Sequence, residues 1–163
     1  MNLNINVTGY KETNEALKNV RDELRDFNEP LIKSGGYYLN EIDQNFISRG
    51  LRFNEQWKDL APRTIREKTK LYKEGKAIAI SFPLVRTGWL KNSFFYDFLS
   101  KTKITIHSLA DPYIVNLMHF GGINKEGAMV PPRTLMKVDE KRTENIINIF
   151  SEWIDKIINK HIK

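Results

Sequence analysis

The chain contains no cysteine, which removes both disulfide staples and thiolate metal sites. Histidine is scarce: three residues, at 107, 119 and 161, with no H-x-x-x-H spacing among them. A metal triple of His107, Asp111 and His119 can be drawn, but such triples arise by chance in most chains of this size. Long apolar runs are missing too. None approaches the roughly 20 residues that a bilayer-spanning helix needs, and the opening MNLNINV has none of the regions of a signal peptide. No membrane partner is expected. Ser93 and Ser108 lack the G-x-S-x-G elbow that exposes a nucleophile. Thr87-Gly88 is one glycine without the lysine and serine/threonine of a phosphate loop. Asp139-Glu140 falls at a helix start, where acidity complements the helix dipole. The expectation is a protein with no enzyme activity and no cofactor.

What is present fits an ordinary globular chain. Its 163 residues, 40% hydrophobic and 28% charged, suit one domain spanning 1–163 with a sizeable core. The charge is basic overall, +6 with a pI of about 9.4, and unevenly spread. Lys11 to Glu29 carries four basic and six acidic residues, whereas Lys58 to Lys76 carries seven basic and three acidic. The bland reading of the second stretch is a solvated, lysine-rich loop. The sharper one is an anion-facing surface, toward DNA or an acidic neighbour.

Periodicity predicts an α+β fold. Leu3, Ile5 and Val7 alternate as a short edge strand would. Apolar residues at 16, 17, 20, 24 and 27 mark an amphipathic helix. Asn28-Glu29-Pro30 opens a second helix, with a buried stripe of Leu31, Gly35, Leu39, Ile42 and Phe46. The two are expected to pair antiparallel. Gly35-Gly36 inside a helix costs about 1 kcal/mol per glycine relative to alanine, so the pair implies close packing or a break. Residues 50–83 read as a long mobile loop, with one helix at Pro62–Tyr72 and Trp57 as anchor. Thr87 reads as the N-cap of a helix opened by Gly88 and Trp89, both tryptophans being expected inside. FFYDFLS, KTK and ITIHS form a hairpin, with Ile104 and Ile106 on one face of a small antiparallel sheet. Asp111-Pro112 starts a short helix that stops at Gly121-Gly122, a turn suited to positive φ. A long helix from Asp139 to Ile162 closes the chain and packs on the sheet. Its apolar stripe, with Ile147, Ile154 and Ile158 beside Ile146, Phe150, Trp153 and Ile157, is wide enough to imply burial on two sides or a partner.

Several of these residues recur in a set order. Trp57 with Leu60 and Thr64 comes first, then Thr87, Gly88, Leu90 and Ser93. Gly121 and Gly122 follow, and after them Val130, Pro131 and Arg133. In this order the chain resembles the phage virion-morphogenesis, or tail-completion, proteins over roughly 54–139. Their helix before the glycines usually reads tyrosine-alanine and carries a histidine. Here Tyr113 and His119 fall about one residue out of register, so no role passes to His119. Thr134 and Leu135 stand where Pro-Phe is usual.

The resemblance implies a non-catalytic structural protein of the virion, assembled in the host cytoplasm, that completes the tail or the head–tail junction. It implies a ring-type homo-oligomer touching other tail, neck or connector proteins, with DNA passing nearby. Residues suggested for such contacts are Trp57, Arg63, Arg66, Lys68, Pro131 and Arg133. Arg133 has two readings: bridging loop carbonyls within one subunit, or gripping a neighbour's carboxylate in two places. The basic 58–76 stretch of one copy could face the acidic first helix of the next. The rival reading is a basic nucleic-acid-binding module, suggested by the charge and by Trp57, Arg63 and Tyr72.

Overall fold

The computed structural model describes residues 9–162; the strand expected around Leu3, Ile5 and Val7 lies outside them. Helix α1 (Tyr10–Glu23) is followed by α2 (Asn28–Ile47). Leu24 to Phe27 makes the bend between them, and Asp26 accepts from the Asn28 amide at 3.1 Å. Both helices run against the last helix, α5 (Glu140–His161), and not against each other. The expected antiparallel pair is therefore replaced by a bent helix laid along α5. The reason lies in side-chain placement. Phe27, at the bend, packs on Trp153 and Phe150 of α5 with ring centres 5.4 and 6.0 Å away, while α1 buries no side chain at all.

The other side of α2 carries a hairpin, β1 (Phe94–Ser100) and β2 (Lys103–Ser108), antiparallel with Phe94 opposite Ser108 and Tyr96 opposite Ile106. Gly35 allows this approach. A Cβ at 35 would lie 2.8 Å from the Tyr96 ring, whereas one at Gly36 would meet open space. The glycine pair thus marks close packing on a side chain, and the helix runs through it unbroken. Along α2, Gly35 and Phe46 look toward the hairpin and Tyr37 and Glu41 toward α5. The α+β class stands, with α2 as its central element.

The core gathers Tyr38, Ile42, Phe46, Phe53, Trp57, Val85, Leu90, Ala110 and Leu135. A short 3₁₀ turn at Leu51–Phe53 and helix α3 (Pro62–Lys73) occupy the segment read as a loop. That segment is anchored by the buried Phe53, Trp57, Lys68, Ala77 and Pro83. Gly50 is what lets it start. Its φ is +92°, and a Cβ there would fall 2.0 Å from the Glu55 carbonyl.

The helix expected from Thr87 is a correction. Only a 3₁₀ turn forms, at Lys91–Ser93, before the chain enters β1. Thr87 Oγ1 does accept from the Trp89 amide, at 3.3 Å. Leu90 and Ser93 are buried, however, and Ser93 Oγ donates to the Leu90 carbonyl at 2.7 Å. That bond competes with helical continuation. Trp89 is consequently 52% exposed, against 4% for Trp57.

Candidate functional site

Three of the motifs that carry the family resemblance meet on one wall: the Gly121-Gly122 turn, the Pro131–Arg133 segment and the chain beside Trp57. Helix α4 (Pro112–Phe120) begins at the Asp111 cap, whose carboxylate accepts from the Tyr113 amide at 2.8 Å. It ends at Gly121, with φ of +74°. After a two-residue pairing of β3 (Gly122–Ile123) with β4 (Met129–Val130), the Pro131-Pro132 segment returns across that glycine. A Cβ on Gly121 would lie 2.8 Å from the Pro132 nitrogen, so the turn and the proline segment require each other. The Arg133 amide then donates to the Met118 carbonyl at 2.8 Å, and the Leu135 amide to His119 Nδ1 at 3.1 Å. His119 thus acts as a neutral acceptor, and burial holds its pKa below the ordinary histidine value despite nearby Glu55. On the same wall Trp57 stands edge-on to Phe46 at 5.4 Å, and its amide donates to the Arg49 carbonyl.

The six residues suggested for contacts divide. Trp57, Lys68 and Arg133 face inward, Pro131 is half-buried, and Arg63 and Arg66 are exposed. Arg133 Nη2 reaches the Lys58 carbonyl at 3.4 Å, the first of its two readings, and burial lowers its pKa. Lys68 Nζ donates to the carbonyls of Phe82, at 2.6 Å, and Val85, at 3.0 Å. Desolvation likewise holds that ammonium below the usual lysine range. In one chain these cations serve as tethers for the irregular backbone between 50 and 85. The signal was present in the sequence: Lys68 lies three residues after Ile65 and three before Leu71, on the apolar side of its helix.

A second group was not read from the sequence at all. Arg142, on the first turn of α5, is 1% exposed and pairs with Glu41 of α2 at 2.8 Å and with Asp139. Its guanidinium lies 4.4 Å over the Phe53 ring and also donates to the Arg52 carbonyl. Arg52 grips the same Glu41 carboxylate from the other side, which raises the Arg52 pKa. Helix α2, the 3₁₀ turn and α5 are joined by this network. Glu41 sits on the stripe of Tyr38, Ile42 and Asn45, and Arg142 one turn before Ile146, so both were visible as charges on buried faces.

The solvent side has two features. Ile147, Ile154 and Ile158 of α5 are exposed, so the second row of that helix has no covering partner among the described residues. An open groove of about 820 Å³ separates the α1–α2 bend from the end of α5, with Asp22, Glu23, Asp26 and Glu29 on its walls. Three of these acids are matched by the chain's own cations, while Asp26 accepts from the Asn28 amide. Glu23 bonds Lys160 and His161, and Glu29 bonds Lys33 and Lys156, which depresses both carboxyls. Asp22 pairs with Arg21 and Arg25. Part of the acidity expected to face a neighbour's basic stretch is thus engaged within the chain, while Glu12 and Glu15 of α1 are exposed and pair with no cation among the described residues.

Among the described residues no group of three or more His, Cys, Asp or Glu side chains could hold a metal. His107 stacks on Phe95 with ring centres 5.4 Å apart, and His119 is committed to Leu135. No described helix is long and apolar enough to cross a membrane. Comparison with protein-family models, with curated proteins and with solved structures finds no match to this chain.

Proposed function

We propose that this protein is a non-catalytic structural component of a phage particle, completing the tail or the head–tail junction as a ring-type oligomer. The observation that carries the reading is the joining of the Gly121-Gly122 turn to the Pro131–Arg133 segment. Two motifs of the resemblance, ten residues apart, are stereochemically dependent on each other, and Arg133 ties them to the loop beside Trp57. The joining of these parts of the ordered set supports the reading. The unpartnered row of Ile147, Ile154 and Ile158 is the surface on which a neighbouring subunit or connector protein would sit. Because Arg133 is internal, substituting it tests the fold, and the function is better tested on that row.

Ile147→Asp with Ile154→Asp alters only exposed positions and should leave the melting temperature of the isolated chain nearly unchanged. In the phage or prophage that carries the gene, the double variant should give unjoined heads and tails or unfinished tails by electron microscopy. A tagged chain should be found in purified particles. Finished, infectious particles from the double variant, together with particles free of the tagged chain, would overturn the proposal.

A further inference from the structure

We propose that the exposed face of α3 binds the phosphate backbone of duplex DNA through Arg63, Arg66, Lys70 and Lys73. This stands on the geometry of α3 alone and holds whether or not the chain joins a particle. The four cations follow one another at intervals of three, four and three residues. At 3.6 residues per turn they share a sector about 80° wide, and from first to last they cover about 15 Å of helix axis. One strand of a duplex offers a phosphate about every 3.4 Å of its axis. The strand also winds about that axis, so a straight row of this length faces a short run of the backbone. Its four long side chains set an upper limit of four phosphates.

Two observations separate this row from an ordinary solvated face. The first is the shortage of counter-charge. Among the described residues Arg63 pairs with Glu67, one turn along the same helix, while Arg66, Lys70 and Lys73 pair with no carboxylate. Some surface lysines elsewhere are matched, as Lys91 with Asp43 and Lys137 with Glu55. Unmatched ones such as Lys18, Lys101 and Lys141 stand singly on separate elements, whereas these three share one face of one helix. The second is the mounting of the helix. Lys68 lies diametrically opposite the row, and its ammonium is fixed on the carbonyls of Phe82 and Val85. The helix is thereby held with the row outward, which lowers the ordering cost of engaging a ligand. Thr69 and Glu67 flank it on the helix surface. A second copy of this chain is a weaker occupant, since Asp22, Glu23 and Glu29 at its α1–α2 bend already pair with cations and leave mainly Asp26 to offer there. A regularly spaced row of cations fits a regularly spaced polyanion.

The test uses the full chain and a fluorescent 20-base-pair duplex of arbitrary sequence, followed by anisotropy across a salt series. Four neutralised phosphates, the upper limit, predict roughly a hundredfold weaker binding at 200 mM than at 50 mM salt. Replacing Arg63, Arg66, Lys70 and Lys73 together by glutamine, a good helix former, should abolish binding while circular dichroism stays unchanged. A control with the same net charge, Lys11→Gln, Lys18→Gln, Lys101→Gln and Lys141→Gln, removes four exposed lysines elsewhere. It should keep the affinity within about twofold, because these residues contact no phosphate. If the fourfold variant does not fold, each single substitution should still lower the salt slope by about one. The proposal is overturned by absence of binding at 50 mM salt, by equal loss in variant and control, or by a polyglutamate peptide binding as tightly as the duplex. The last result would assign the face to an acidic protein.

Discussion

Arg142 and Lys68 are both buried cations, yet only Arg142 is met by carboxylates. Around Arg142, Glu41 and Asp139 supply negative charge and join two helices and a turn. Around Lys68, as around Arg133, only backbone carbonyls are offered. The difference follows from what each region lacks. Where α2 meets α5, the backbone is satisfied within the helices, and the ion network decides how they are set against each other. Between 50 and 85 much of the chain is irregular, so its buried carbonyls have no ladder to join. A long cationic side chain supplies the missing donors. The loop wall thus spends its charges on its own backbone, and the helical end spends them on joining elements.

Breaking the paired side should cost most. Glu41→Ala leaves Arg142 buried without its main counter-charge, and a loss of about 3–5 kcal/mol is expected from urea denaturation. A loss under about 1 kcal/mol would mean that Asp139 alone suffices, and the contrast between the two regions would collapse. Next comes the hydrophobic anchor of the loop wall. Trp57→Ala should cost about 3 kcal/mol or slightly more, and the same change at exposed Trp89 about 0.5 kcal/mol or less. Equal losses would place the loop's anchor elsewhere.

Lys68→Met sharpens the comparison, because it removes the donor and the charge together. It leaves the Phe82 and Val85 carbonyls unpaired, for an expected loss of about 1–3 kcal/mol. Hydrogen exchange should then quicken from Glu74 to Val85 while α2 and α5 keep their protection. A loss as large as that of Glu41→Ala would show that an uncompensated charge is not what distinguishes the helical end.

The smallest effect is a pH dependence. His119 has a folded pKa below the ordinary histidine value of 6.5, chiefly through burial. Between the folded pKa and 6.5 the unfolded chain binds more protons than the folded one, so stability rises with pH there. The contribution is present above 6.5 and is lost as pH falls through that window. Thermal melts at pH 7 and pH 5 should differ less for His119→Asn than for the parent chain. An unchanged difference would remove His119 from the proline wall's acid sensitivity.

Much of this organisation was legible in the chain because it is local. The entry at Asn28-Glu29-Pro30, the caps at Asp111 and Asp139, and the alternation of Ile104 and Ile106 each act within a few residues. So does the Gly121-Gly122 turn. Trp89 was not legible, since Thr87 makes the same bond for one turn as it would for a full helix. Only the burial of Leu90 and Ser93 against distant residues decides between them. The Glu41–Arg52–Arg142 network was half-legible. Its charges lie on buried faces, but their pairing needs residues 41, 52 and 142 brought together, which periodicity does not address. The outward row of α3 was readable as a count of basic residues, and became a surface only once Lys68 was seen to face the other way.

Gly35 sets a further condition on how the molecule assembles. The notch it leaves in α2 is the width of one aromatic ring, and Tyr96 fills it. Sliding β1 by one residue would bring Phe95 or Asp97 to that position and turn the alternate side chains outward. The notch therefore works as a partial gauge: Asp97 would leave it without a ring, and although the Phe95 ring could enter, that slide would turn the inward side chains of β1 outward. A two-stranded sheet, with no third strand to hold it in step, gets part of its registration from a missing methyl group on a helix.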